Sequence, residues 1–111
     1  MTKIYKQIPS AALQYLQYAI HEHREQLITQ FDRYINTFEG ELEMMRQTLV
    51  SQWSNLMTVY AYFAQEDPLA SFALRQEIDQ VTELLKSDNK LRPLIEKEEA
   101  LFDELKKIAA Q

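Results

Sequence analysis

The chain has 111 residues, with 17 acidic and 12 basic side chains and a formal net charge of −5. Its single glycine and its lack of cysteine exclude glycine-rich phosphate loops, disulfides, thiolate metal sites and cysteine nucleophiles. The acidic balance disfavours direct binding to nucleic-acid phosphates. So few turn-forming residues favour a small number of long helices, and we expect one all-α domain over residues 1–111.

The first helix is predicted at about residues 10–36, after an extended lead at 1–9 that does not resemble a signal peptide. Ser10, which follows Pro9, is the predicted N-cap. Apolar residues then recur at spacings of three and four, which indicates one amphipathic face. These residues are Leu13, Leu16, Ile20, Leu27, Phe31, Ile35 and Phe38.

The second helix is predicted at about residues 38–65 and continues the same apolar stripe. Residues 47–65 carry no charged side chain, over about the length of a transmembrane helix. Their many Gln, Ser, Thr and Asn side chains instead indicate a helix that is buried over a wide arc within protein, and we predict no membrane association. The stripe consists of Leu42, Met45, Leu49, Trp53, Leu56, Tyr60 and Phe63.

Two further helices are predicted at about residues 68–86 and 91–110. Asp67 is a suitable N-cap and Pro68 a suitable first helical residue for the third helix. The predicted apolar face of the third helix contains Leu69, Phe72, Ile78, Val81 and Leu85. The predicted apolar face of the fourth contains Leu94, Leu101, Leu105 and Ile108.

Gly40 leaves two topologies open. The apolar phase does not change there, and a glycine inside a helix costs only about 1 kcal/mol, so one helix over residues 10–65 is allowed. Asn36 and Thr37 instead favour a helix end and a new N-cap.

The charged residues around position 38 fit both topologies. They lie between two uncharged stretches at 7–20 and 47–65, which face each other if helices cross antiparallel near residue 38. The prediction is therefore an antiparallel helical bundle. It has either four helices with a turn near 36–40, or a long helix 10–65 plus two shorter helices that form a dimer.

Metal and catalytic chemistry have little support in the sequence. His21 and His23 are two residues apart, so they point to opposite sides of a helix. His21, Glu22 and Glu25 are the best available ligand set, but they do not match the His-Glu-x-x-His zinc spacing. We expect no enzyme activity, no catalytic residue, no bound metal and no cofactor.

The aromatic residues suggest a protein-binding role. Several fit a helix core, whereas others lie off the apolar stripe, and Tyr and Trp are favoured at interfaces. The predicted partner-binding residues are Tyr15, Tyr18, Met57, Val59 and Tyr62.

The leading hypothesis is a cytoplasmic, non-enzymatic protein–protein interaction module, such as an adaptor, chaperone, assembly factor or inhibitor. The alternatives are a self-assembling homodimer subunit and a metal- or small-molecule-binding bundle. The sequence does not identify the protein partner.

Overall fold

The computed structural model describes residues 10–110, including every side chain in that range except those of Ser10, Lys106, Ala109 and Ala110. The predicted extended lead at 1–9 lies outside the described residues. Within residues 10–110 the chain forms four helices and no strand, which confirms the all-α helical bundle. The helices are α1 (Ser10–Ile35), α2 (Leu42–Glu66), α3 (Pro68–Lys86) and α4 (Arg92–Ala110).

A turn at Gly40 separates α1 from α2, so the chain forms a hairpin instead of one helix over residues 10–65. Gly40 has a φ of +103°, a conformation that residues with a Cβ rarely adopt. Apart from Gly40 itself and its two neighbours in the chain, no residue has a heavy atom within 4 Å of the position that a Cβ on Gly40 would occupy. The glycine is therefore required by its backbone conformation and not by lack of space.

Thr37 belongs to the end of α1 and does not cap the second helix as predicted. Its hydroxyl donates a hydrogen bond of 2.7 Å to a main-chain carbonyl one turn earlier in α1, and the Asn36 amide does the same at 2.8 Å. The second helix consequently begins at Leu42. Glu41 precedes it and makes no side-chain capping bond.

Asp67 alone joins α2 to α3, and its role as N-cap is confirmed. Its carboxylate accepts the backbone N–H of Ala70 at 3.0 Å, and Pro68 occupies the first turn, where a missing N–H costs nothing. Such a short connection makes α3 fold back along α2. The antiparallel pairing is marked by the Trp53 indole N–H, which donates to the Thr82 hydroxyl at 2.8 Å.

The α2–α3 pair lies at the centre of the bundle, with α1 packed on one side of it and α4 on the other. On one side α1 packs against both helices, and on the other side α4 does so; within the described residues α1 and α4 do not touch. The hydroxyl of Tyr34 in α1 donates to the Asp88 carboxylate at 3.0 Å, just after α3. The bundle measures 57 × 31 × 21 Å.

The core follows the predicted stripe through the middle of the bundle but departs from it at both ends. Phe38 is 85% exposed because it lies in the turn, whereas Tyr34 is only 6% exposed although it is off the stripe. Leu69 and Phe72 are also exposed, on the side of α3 opposite its buried residues. The buried apolar residues are Ile20, Leu27, Phe31, Tyr34, Leu49, Trp53, Leu56, Tyr60, Phe63, Leu74, Ile78, Val81, Leu85, Leu91 and Ile95.

Candidate interaction surface

The five residues predicted to bind a partner lie in separate places. Tyr15 and Tyr18 are 70% and 63% exposed, on the side of α1 away from its buried residues, and Tyr62 is 52% exposed on α2. Met57 and Val59 are partly buried. Because they are two residues apart, they point about 200° from each other around α2.

Tyr15 and Tyr18 share a solvent-facing strip of α1. The Glu22 carboxylate one turn later raises the pKa of Tyr18, first through a hydrogen bond with the hydroxyl and then through its charge. Single exposed tyrosines of this kind are normal on a protein surface.

The fourth helix exposes the face that the sequence predicted to be its buried one. Leu101, Leu105 and Ile108 are 52%, 61% and 62% exposed, and Leu94 is half-buried. These four residues form one line along the helix, with Glu98 at the remaining position of the repeat. We call Leu94, Leu101, Leu105 and Ile108 the α4 row.

A second line of apolar residues on α4 packs into the bundle instead. Leu91, just before the helix, and Ile95 are fully buried, and Phe102 meets Trp53 edge-on with ring centroids 6.0 Å apart. The edge-on contact with Trp53 turns Phe102 inward and leaves the α4 row outside.

The outer face of α2 next to α4 is exposed and uncharged. Its residues recur at spacings of four and three, as in a coiled-coil interface, and all are exposed except the half-buried Ser54. The prediction that residues 47–65 are buried over a wide arc therefore holds only for their inner side, which includes Trp53 and Leu56. We call Gln47, Ser51, Ser54, Thr58, Ala61 and Gln65 the α2 row.

A groove between α2 and α4 brings the two rows together. At its start, Leu94 and Glu98 line the same depression as Gln47 and Ser51. A separate cleft of about 550 Å³ lies where α2, α3 and α4 meet, and no residue of the α4 row lines it. The residues lining this cleft are Trp53, Met57, Tyr60, Ala61, Ala64, Gln65, Arg75, Glu99, Phe102 and Asp103.

The cleft has an aromatic floor and one charged wall. Trp53, Tyr60 and Phe102 contribute rings, and the guanidinium of Arg75 lies 5.7 Å from the centroid of the Tyr60 ring. Such a floor can accept an apolar side chain from another molecule. The α2 row, the α4 row and this cleft together are the α2/α4 surface.

The first half of α4 is held firmly beside this surface. Asp88 accepts the backbone N–H groups of Lys90 and Leu91 at 3.1 and 3.0 Å, which fixes the loop before the helix. Lys86 of α3 pairs with Glu99, and this hydrogen bond raises the pKa of Lys86. The exposed part of the α4 row lies almost entirely beyond these contacts.

The proposed metal ligands do not converge. Among the described side chains, no group of three or more His, Asp and Glu residues is arranged to hold a metal ion. The His21 ring lies 3.2 Å from Glu77 of α3, whereas Glu22 interacts with Tyr18 and Glu25 pairs with Arg24 at 3.0 Å. Nor does any helix within residues 10–110 have the length and apolar character needed to cross a membrane.

Comparison of the chain with protein-family models, curated proteins and solved structures finds no match.

Proposed function

We propose that this chain is a non-enzymatic protein-interaction module and that the α2/α4 surface binds another polypeptide. The observation that carries this proposal is the α4 row. Three of its large aliphatic side chains, Leu101, Leu105 and Ile108, are each more than half exposed and lie in one line. A contiguous apolar strip of this kind is characteristic of a binding site.

The α2 row supports the same conclusion by an independent route. Exposed helix faces normally carry Lys and Glu, and 26% of this chain is charged. Yet the outer side of α2 from Gln47 to Gln65, about 27 Å of helix, carries none. Depletion of charge is typical of the centre of an interface.

The shape of the surface suits a helix as its ligand. A shallow groove separates Leu94 of the α4 row from Gln47 and Ser51 of the α2 row, and the aromatic cleft opens separately beside the far end of the α2 row. An amphipathic helix binds such a groove by placing side chains at spacings of three and four. Adaptors, chaperones, assembly factors and inhibitors are the classes of protein that this proposal includes.

The exposed tyrosines are a weaker candidate surface for the same function. Tyr15 and Tyr18 are on α1 and Tyr62 is on α2, and none of the three lies in a cleft with the others. Met57 is the one residue of the predicted set that lines the α2/α4 cleft.

Site-specific photo-crosslinking in the cells that express the chain tests the proposal. A photoreactive amino acid replaces Leu101, and a control replaces Gln80, an exposed polar residue on α3. We expect a covalent adduct with a polypeptide at position 101 and little or none at position 80. If position 101 gives no adduct, or no more than position 80, the α2/α4 surface is not a binding site.

A further inference from the structure

We propose that the polypeptide bound by the α2/α4 surface is a second copy of this chain, docked so that the two α4 helices run antiparallel. This inference rests on the function proposed above, because it names the occupant of the same surface. The charges beside the α4 row, the character of the α2 row and the relative position of the two rows each support it.

Two opposite charges flank the α4 row, and one of them, Lys97, also lines the depression that contains Gln47 and Ser51. Lys97 and Glu104 are seven residues apart, so they lie on the same flank, and both are exposed. When a helix pairs antiparallel with its own copy about a twofold axis, this flank meets the same flank of the other copy. Lys97 of each copy then faces Glu104 of the other, which gives two identical ion pairs.

A parallel arrangement lacks this complementarity. If the two α4 helices were parallel, the side of one helix that carries Lys97 and Glu104 would face the opposite side of the second helix. That opposite flank contains Ile95 and Phe102, which already pack into the bundle. The charges therefore favour antiparallel pairing.

The α2 row has the composition that a twofold interface needs. Residues near a twofold axis face their own copies, so a charged residue there would meet a like charge. The α2 row has no charge, and the four positions between Gln47 and Gln65 are the small residues Ser51, Ser54, Thr58 and Ala61. Small side chains at coiled-coil spacing allow two helix backbones to approach closely.

The centres of the two rows lie at nearly the same level of the bundle. The midpoint of Lys97 and Glu104 falls between residues 100 and 101, and Phe102 contacts Trp53 and lines the cleft with Met57. The midpoint of Gln47 and Gln65 is residue 56 of α2. One twofold axis can therefore pass through both centres and pair α2 and α4 with their copies at once.

Glu98 is the one charged residue within the α4 repeat. It is half-buried beside Gln47 and Ser51, whose polar groups are available to it. A polar residue at a single interface position fixes the register of a coiled coil at some cost in stability. In the antiparallel pair the two Glu98 residues lie close to the twofold axis, so their like charges are part of this cost.

Analytical ultracentrifugation of the purified full chain over a range of concentrations tests the inference. We expect a monomer–dimer equilibrium for the wild type. Leu101→Lys should be monomeric with unchanged helix content by circular dichroism, because residue 101 is exposed within one copy and Lys is a good helix former. The matched control Leu69→Lys should dimerise like the wild type.

A charge exchange tests the orientation. Lys97→Glu and Glu104→Lys should each weaken dimerisation, by up to roughly 10-fold, because each replaces two attractive contacts by repulsive ones. The double variant restores the pairs in reversed polarity, so its dissociation constant should return to within about 3-fold of wild type.

The inference is wrong if the wild type stays monomeric throughout, if Leu101→Lys still dimerises, or if the double variant is no better than the single ones. The proposed function fails separately. A monomer whose position 101 crosslinks in cells to a different protein refutes self-pairing alone, whereas no crosslink at position 101 refutes the binding surface.

Discussion

The two sides of the α2–α3 pair are covered to different extents. On one side, α1 buries Ile20, Leu27, Phe31 and Tyr34 along most of its length. On the other side, α4 buries Ile95 and part of Phe102, and its last two turns expose their leucines and isoleucine to solvent. The first interface completes the core of one molecule, and the second leaves apolar side chains of α4 exposed to solvent.

The solvent-facing sides of α1 and α2 differ in their content of charged residues. The solvent side of α1 carries exposed charges, among them Glu22, Glu25, Asp32 and Arg33. The exposed side of α2 beside α4 carries none between Gln47 and Gln65. Charge on an exposed face favours hydration, whereas its absence lowers the cost of removing that face from water.

A matched pair of leucine truncations should give the largest contrast between the two regions. Leu56 is fully buried between helices, so Leu56→Ala should lower the free energy of unfolding by about 3 kcal/mol or more. Leu101→Ala should change it by no more than about 0.5 kcal/mol, because residue 101 lacks core contacts within one molecule. Denaturant titration at low protein concentration measures both, and equal losses would show that residue 101 belongs to the core.

Loss of the buried hydrogen bond of Trp53 should cause the next largest decrease in the free energy of unfolding. Thr82→Val keeps the side-chain shape but removes the hydroxyl that accepts the indole N–H at 2.8 Å. An unsatisfied buried donor costs about 1–3 kcal/mol. Thr48→Val, on the exposed side of α2, is the control and should have little effect. Unfolding followed by tryptophan fluorescence distinguishes them, and a neutral Thr82→Val would show that the indole finds another acceptor.

The Asp67 cap at the α2–α3 junction should contribute about 1 kcal/mol. Asp67→Ala removes the carboxylate that accepts the Ala70 N–H, whereas Asp67→Asn retains a side-chain oxygen. Thermal unfolding should therefore rank the proteins as wild type, then Asn, then Ala. An Ala variant as stable as the Asn variant would contradict a capping role.

The ion pair that holds α4 to α3 should have the smallest effect. Glu99→Gln removes the partner of Lys86, which is partly exposed, so we expect a loss of no more than about 1 kcal/mol. Glu99 raises the pKa of Lys86 above its ordinary value of 10.5. The stabilisation is therefore complete below pH 10.5 and is lost as the pH rises through the folded-state pKa.

Unfolding measured at several pH values checks this sign. The difference between wild type and Glu99→Gln should be constant near neutral pH and shrink once Lys86 deprotonates in the folded state. A difference that grows with pH would mean that Glu99 acts through another group.

Local signals in the sequence were sufficient for parts of the fold. The Asp67–Pro68 pair identified the start of α3 because capping and the first-turn proline depend only on neighbouring residues. The apolar repeat identified the bundle class for the same reason. Gly40 was ambiguous because the repeat has the same phase in a hairpin and in one long helix. Its positive φ is a property of the folded backbone.

The α2/α4 surface depends on contacts that a linear pattern does not contain. Two apolar lines run along α4, and which one is buried depends on where the α2–α3 groove meets Phe102. The sequence shows that residues 47–65 carry no charge. A helix face without charge is expected whether the face is buried by the same chain or by another molecule, so the sequence does not distinguish the two. The prediction for Tyr15 and Tyr18 rests on their position off the apolar stripe and on the preference of tyrosine for interfaces, and neither property shows whether apolar neighbours surround them.

Amide hydrogen exchange of residues 100–110 tests most directly whether the exposed half of α4 is covered by another molecule. The comparison uses wild type and Leu101→Lys at the highest practical concentration, with Leu69→Lys as control. We expect exchange in residues 100–110 to be at least about 10-fold slower in wild type and control than in Leu101→Lys, because pairing suppresses local opening of the helix. Equal exchange of this segment in all three proteins would contradict an interface on α4.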